Sequence, residues 1–378
     1  MAEQEFKLTL IKKKTKSSCV YTVTAFWDNQ STVELVEEAS IEKFISEFSS
    51  FFSEDLVRGF SSKAKSKSKS SKTTLPLSPE TSSSTTRHWK DWAKEMTNCV
   101  FMDSIGKLFQ DALTRSQEHL RVRIVTDITH FPWALLLDTR SAPLAISERV
   151  SLVVTPLTVN VAPAPLDVPV RVLVVIATPE GYELSSEKEE KNIREATQAL
   201  VDAQLLELRT ISGSETKKQI EDLISREKYD IFHFIGHGDF DEKEREGVLL
   251  WEGENHKPFP MAGRAFNPII QQIKPKIVIL NACKGAVSLS KDPFSGIAPS
   301  LATYTPAVIG MLYEINDEAA IQFSRKLYQE IAQNDCSIDQ AVSRARREIS
   351  SDPESLQWCI ASLFMSCQNA SDIQLPSL

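Results

Sequence analysis

Two side chains in this sequence have the types and the spacing for nucleophilic chemistry. His237 stands near the end of the apolar run "YDIFHFIGHGDF" (residues 229 to 240), and Cys283 follows the run "KIVILNA", 46 residues further on. A thiol within reach of an imidazole can be deprotonated and can attack a carbonyl carbon, which is the chemistry of acyl transfer. Each residue alone says little, because a lone cysteine is usually a small buried hydrophobe. Gly236 and Gly238 flank the histidine and predict a sharp turn at a strand end, with room beside the imidazole for a substrate main chain.

The pair can work only if the fold brings the two strand ends together. From Val170 onward, strand and helix patterns alternate. "VRVLVVIATP" is a continuous apolar strand, "SSEKEEKNIREATQALVDA" has helical spacing, "LLELRTI" and "YDIFHFIG" are strands around a helix, and "AFNPIIQQI" leads into "KIVILNA". Apolar strands alternating with helices predict a mostly parallel sheet covered on both faces, with the working crevice outside the carboxyl ends of the strands. One helix-containing crossover separates the strands of His237 and Cys283, so they can be neighbours.

The composition bounds the function. With 378 residues, 42% hydrophobic and 25% charged, the chain has an ordinary globular composition. The start "MAEQEFKLTLIKKK" lacks the features of a signal peptide and no apolar run is long enough for a membrane span, so a cytoplasmic protein with no membrane partner is expected. The six cysteines are scattered without a Cys-x-x-Cys pair, which indicates neither a disulfide framework nor a metal site. No cofactor is implied, and "VVIATPEGYEL" offers no phosphate-binding loop. A net charge of −8 disfavours direct nucleic-acid binding. The visible basic cluster, five lysines, is confined to "SSKAKSKSKSSKTTLPLSPETSSSTT", residues 61 to 86, whose composition predicts a flexible insert. Its net +4 leaves −12 on the rest.

Four regions are expected: a hairpin and helix region at 1–60, the insert at 61–86, an N-terminal part of the main domain at 87–168, and a catalytic domain at 169–378. In the first, "FKLTLIKKK" and "SCVYTVTAFW" alternate like a hairpin.

At "FHFIGHGDFDEKEREGVLLWEG", "IVILNACKGA", "FSGIAPSLATYTPAVIGMLYEINDEAAIQFSRKLYQEI" and "SLQWCIASLFM" the chain resembles the CHAT domain, a bacterial relative of the caspases, separases and gingipains. "ITHFPWALLLDTRSAPLAISERVSLVVTP" resembles the segment that precedes the catalytic half in that family. The resemblance implies an α/β, caspase-like, mostly parallel sheet with helices on both faces, preceded here by an α+β N-terminal region. It also implies a cysteine endopeptidase. Carried over position by position, His237 is the general base and Cys283 the nucleophile, and the backbone N–H groups of Gly238 and Cys283 face the oxyanion. Two departures stand out. Lys284 follows the cysteine where the family carries an acidic or polar residue, and Trp133 is followed by Ala134 instead of Glu.

Specificity is less defined. Glu314 and Asp317 in "YEINDEAA", and Asp239 and Asp241 beyond the histidine, are candidate receivers of a basic P1 side chain, while Asp317 also suits the N-cap of the following helix. His233 reads as a packed strand residue, and Cys336, Cys359, Cys367, Trp251 and Trp358 as packing or surface groups. The resemblance further implies a protein substrate, an activating sensor protein in trans, and a role in bacterial defence or cell death. The alternative is an adaptor with a caspase-like fold whose dyad is silent.

Overall fold

The computed structural model describes residues 4–14, 19–37, 40–41, 43–44, 89–116, 118–129, 131–157, 161, 166–182, 184–213, 216–224, 227–241, 246–282, 294–313, 315–333, 336–351, 355–367 and 373. The insert at 61–86, Cys283, Lys284 and Glu314 lie outside the described residues, as does the side chain of Asp241.

Apolar, β-branched runs dictate the centre of the molecule. β6 (Val170–Ile176), β8 (Ile231–Asp241), β11 (Ile277–Ala282) and β12 (Ala307–Met311) are almost wholly buried through their apolar segments, as parallel strands covered on both faces must be. Around them lie β1 (Gln4–Lys14), β2 (Cys19–Trp27), β3 (Gln30–Glu37), β4 (Leu120–Thr126), β5 (Val150–Pro156), β7 (Leu206–Ile211), β9 (Glu246–Glu252), β10 (Pro258–Ala262) and β13 (Ala361–Met365). The sheet runs in the order β10-β9-β8-β11-β12-β13-β5-β4-β1-β2-β3, and β6 joins β8 while pairing with β7 on its other side. Pairing is parallel for β7-β6-β8-β11-β12 and for β13-β5-β4-β1, and antiparallel for β1-β2-β3, β8-β9-β10 and β12-β13. The predicted mostly parallel α/β sheet is therefore observed, together with the N-terminal hairpin, which a third strand extends through a turn at Asp28 and Asn29 (φ 48° and 62°).

The helices are α1 (Trp89–Val100), α2 (Asp103–Arg115), α3 (Ser186–Asp202), α4 (Thr216–Ile224), α5 (Gly263–Ile273), α6 (Phe294–Leu301), α7 (Asp317–Gln333) and α8 (Ile338–Glu348). Strand alternation shows which face each covers. Gly310 on β12, in register with Leu280, faces α6, since a Cβ there would lie 2.7 Å from that of Ala298. The next residue of β11, Asn281, points the other way, to Glu189 on α3 and Ser324 on α7. Phe232, Phe234, Trp251 and Phe266 form a ring cluster on the α5 side, while His233 faces α7.

Sequence reading places the end of this strand at His237, and the structure corrects it. β8 pairs in parallel with β6 as far as Ile235 and with β11 as far as Gly236, then continues from His237 to Asp241 as the antiparallel partner of β9. The chain changes neighbours at the histidine without turning. The described glycines with positive φ are Gly181 and Gly213, so the sharp turn predicted for Gly236 and Gly238 is also absent. Gly236 answers a different need. A Cβ there would lie 2.6 Å from the Phe234 ring and 3.2 Å from the Ala177 carbonyl oxygen.

One buried ion pair ties β4 and β5 to the helical layer. Arg121 on β4 donates from Nε (2.9 Å) and Nη2 (3.3 Å) to the carboxylate of Asp339 on α8, which also accepts from the Ser151 hydroxyl. Burial alone would raise the Asp339 pKa, but the Arg121 charge and these hydrogen bonds outweigh it and hold the group down at about 2. Its stabilising contribution is therefore present above the ordinary carboxylate range and is lost as pH falls through about 2. Removing one partner strands the other charge. Asp339→Ala is expected to cost about 3–5 kcal/mol, read as a shift in the urea midpoint at pH 7.

Candidate active site

His237 is set by three neighbouring strands. Behind it, β8 lies between β6 and β11, and ahead of it β9 takes over, with Leu250 directly opposite the histidine. On the β11 side the register places Ala282 opposite Gly236. These are the residues that immediately precede Cys283 and His237, so the two candidate reactive residues are next in order along a pair of hydrogen-bonded strands. The neighbouring strands expected from the sequence are thus observed, whereas Cys283 and its backbone N–H lie outside the described residues.

The imidazole is oriented from the loop after β6. Its Nε2 lies 3.0 Å from the carbonyl oxygen of Tyr182. A carbonyl can only accept, so Nε2 carries the proton, and in the neutral ring Nδ1 is the basic nitrogen. The Tyr182 ring packs against the imidazole with centroids 5.4 Å apart, and His237 is 1% exposed. The loop reaches this position through a turn closed by the Tyr182 N–H on the Pro179 carbonyl (2.9 Å), with Gly181 at φ 84°. This is the geometry of a type II turn, which wants glycine at its third position. The Pro-Glu-Gly triplet is the sequence signal for it, yet sequence reading did not connect it to the histidine.

A second, fully buried polar cluster lies on the α3 and α7 side of the sheet. Asn281, two residues before Cys283, donates from Nδ2 to Glu189 Oε1 (2.5 Å) and to the Ser324 hydroxyl (3.1 Å), which itself donates to Glu189 Oε1 (2.6 Å). His233 Nδ1 lies 3.2 Å from the Tyr328 hydroxyl, and its Nε2 lies 3.9 Å from Glu189 Oε1. Burial lowers the His233 pKa to about 3, so the residue is neutral and packed, as its place in the strand predicts. Burial raises Glu189 to about 7, partly offset by the hydrogen bonds from Ser324 and Asn281. The cluster pins the end of β11 to two helices, and neither Asn281 nor Glu189 is recognisable from local sequence.

The other predicted site residues divide. Gly238 and Asp239 are half-buried within β8, opposite Leu249 and Val248. Asp317 is not the helix cap. Asn316 takes that role, its Oδ1 accepting the Ala319 N–H at 2.8 Å, and Asp317 is the first residue of α7, where a negative charge suits the helix dipole. Trp133 is buried and donates its ring N–H to the Ile128 carbonyl (2.8 Å), a packing role that is complete with Ala134 beside it. Trp251, Trp358, Cys336, Cys359 and Cys367 are all buried. No group of metal-ligating side chains occurs among the described residues, and none of their helices is long and apolar enough to cross a membrane.

The buried cluster has a pH signature. A carboxyl whose folded pKa is raised contributes stability below about pH 4.5 and loses it as pH rises toward 7. His233 acts in the opposite sense, its buried neutral form costing stability as pH falls from 6.5 toward 3. Comparison of wild type with Glu189→Gln isolates the carboxyl. The variant is expected to gain about 1–3 kcal/mol relative to wild type between pH 5 and pH 8, measured by urea denaturation at both values.

Comparison with curated proteins gives no match. Among solved structures, the chain is similar to Saccharomyces cerevisiae separase in its securin complex, with 12% identity and a TM-score of 0.49 over 96% of this chain and 30% of that one. It is also similar to the Arg-specific cysteine proteinase gingipain R of Porphyromonas gingivalis, with 10% identity and a TM-score of 0.43 over 73% of this chain and 67% of that one. A secreted C11 cysteine protease from Bacteroides thetaiotaomicron shares 12% identity, with a TM-score of 0.32 over 47% of this chain and 57% of that one. The CHAT domain matches residues 96–367, a span that contains the strand of His237, the strand leading to Cys283 and the cluster that anchors it, and the chain belongs to the CHAT domain family.

Proposed function

We propose that the chain is a cysteine endopeptidase in which His237 is the base and Cys283 the nucleophile. The observation that carries this reading is the register of β8 and β11, with Gly236 opposite Ala282, one residue before each member of the pair. In the proposed reaction Cys283 gives its thiol proton to Nδ1 of His237, and the thiolate adds to the scissile carbonyl carbon. The oxyanion is held by the N–H groups of Gly238 and Cys283. Collapse expels the amine, which takes the proton from His237, and a water activated by the same imidazole hydrolyses the thioester. Throughout, the Tyr182 carbonyl holds Nε2–H and stabilises the imidazolium.

The substrate is a protein, and Asp239, Asp241, Glu314 and Asp317 are candidates to receive a basic P1 side chain. Activation by a sensor protein in trans and a role in bacterial defence or cell death rest on the family resemblance, and a cytoplasmic location on the sequence, which lacks signal-peptide features and any apolar run long enough for a membrane span. A second reading, a silent adaptor, draws on one observation: His237 is 1% exposed, with the Tyr182 ring against it.

Cleavage of a peptide library and of host lysate, with and without neighbouring gene products, separates the two readings. Cys283→Ala is expected to abolish cleavage and His237→Ala to lower it about 10²–10⁴-fold. Partner binding with no dyad-dependent cleavage under any condition favours the adaptor. Full activity of the purified chain alone on its natural target contradicts activation in trans.

A further inference from the structure

We infer that Glu252 is a positioning residue for His237, fixing through Thr178 and His256 the turn that carries the Tyr182 carbonyl to the imidazole. This rests on the reading of His237 as the base, and it adds a residue in no contact with the reacting atoms.

Glu252 is the last residue of β9. Leu250 is opposite His237, and Glu252 stands two residues further along, beside the end of β6, where the Ala177 N–H donates to the Ile235 carbonyl. The residue is 2% exposed. A carboxylate at such depth is costly unless hydrogen bonds compensate it. Its Oε2 accepts the Thr178 N–H at 3.2 Å, and its Oε1 lies 2.5 Å from His256 Nδ1.

His256 in turn holds the same loop, its carbonyl accepting the Glu180 N–H at 2.7 Å. The five residues from Thr178 to Tyr182 are thus anchored at Thr178 by Glu252, at Glu180 by His256, and by their own turn from Pro179 to Tyr182. The end of this span is the carbonyl on His237. Asn255 and His256 both adopt left-handed backbone conformations (φ 54° and 61°), which is rare for consecutive residues without glycine. That backbone brings both the ring and the carbonyl of His256 to their partners. A fold held only by packing has no need of this arrangement, and a loop that must deliver one carbonyl to one nitrogen does.

The test reads the hydrogen bond on His237 directly and requires no turnover. In the full chain labelled with ¹⁵N-histidine, the ring signals of His237 are assigned by their loss in His237→Ala, and exchange of Nε2–H with water is measured. Wild type is expected to show a slowly exchanging proton. Glu252→Ala and His256→Ala are expected to accelerate its exchange at least about tenfold, and Glu252→Gln, which keeps an oxygen for Thr178, less. Unchanged His233 ring signals report an intact fold. If Glu252→Ala does not fold, His256→Ala and Glu252→Gln decide the matter, since His256 lies on the exposed side of the clamp. Exchange equal to wild type in folded variants overturns the inference. Where cleavage is measurable, Glu252→Ala and His256→Ala are also expected to lower kcat about 10–100-fold with KM little changed, and Glu252→Gln less. An inactive chain with the exchange difference intact argues against the peptidase reading, while an active chain without that difference argues against Glu252 alone.

Discussion

The site depends on a single constraint, the parallel register of β8 and β11. Side chains along a strand alternate between faces, so a slip of one residue would turn His237 away from the end of its neighbour and move every core residue of the strand to the wrong side. That register is over-determined. Phe232 and Phe234 must meet Trp251 and Phe266 on one face, while His233 must meet Tyr328 on the other. The burial that stabilises the sheet therefore also sets where the histidine stands.

Around this register the chain places polar supports from two directions. Asn281 fastens the end of β11 to α3 and α7 through Glu189 and Ser324, and the loop after β6 brings the Tyr182 carbonyl to Nε2 of His237. Both supports are largely buried, where hydrogen bonds are strong and unmade ones costly. The change of partner within β8 serves the same end. Parallel pairing up to Gly236 fixes depth in the sheet, and antiparallel pairing with β9 from His237 onward fixes direction. β9 also delivers Glu252 to the base of the loop.

Much of this arrangement is legible in the sequence, because continuous apolar runs state their own burial. The β6, β8 and β11 runs predict a parallel sheet, and the positions of His237 and Cys283 at their carboxyl ends predict a shared edge. The rest is less accessible for physical reasons. "EGVLLWE" has a strand-like apolar centre, but its pairing with the far end of β8 is a long-range event that no local pattern encodes, so sequence alone ends the strand at the histidine. Tyr182 acts through its carbonyl, a group that every residue has, and only the Pro-Glu-Gly turn marks the place. Asn281, Glu189 and Glu252 work as buried partners of distant residues. Asn316 caps α7 in place of Asp317 because either residue type can cap, and their order in the chain does not decide between them.

The proposed pairing of His237 with Cys283 requires the two residues to stand side by side, and cross-linking measures this most directly. A disulfide forms only when the two Cα atoms are about 4.4–6.8 Å apart with their side chains converging. In a His237→Cys variant under mild oxidation, the account predicts a disulfide between positions 237 and 283, identified as a linked peptide by mass spectrometry and absent when Cys283→Ala is added. Two thiols that remain separately alkylatable in the folded variant, with no linked peptide, would contradict it.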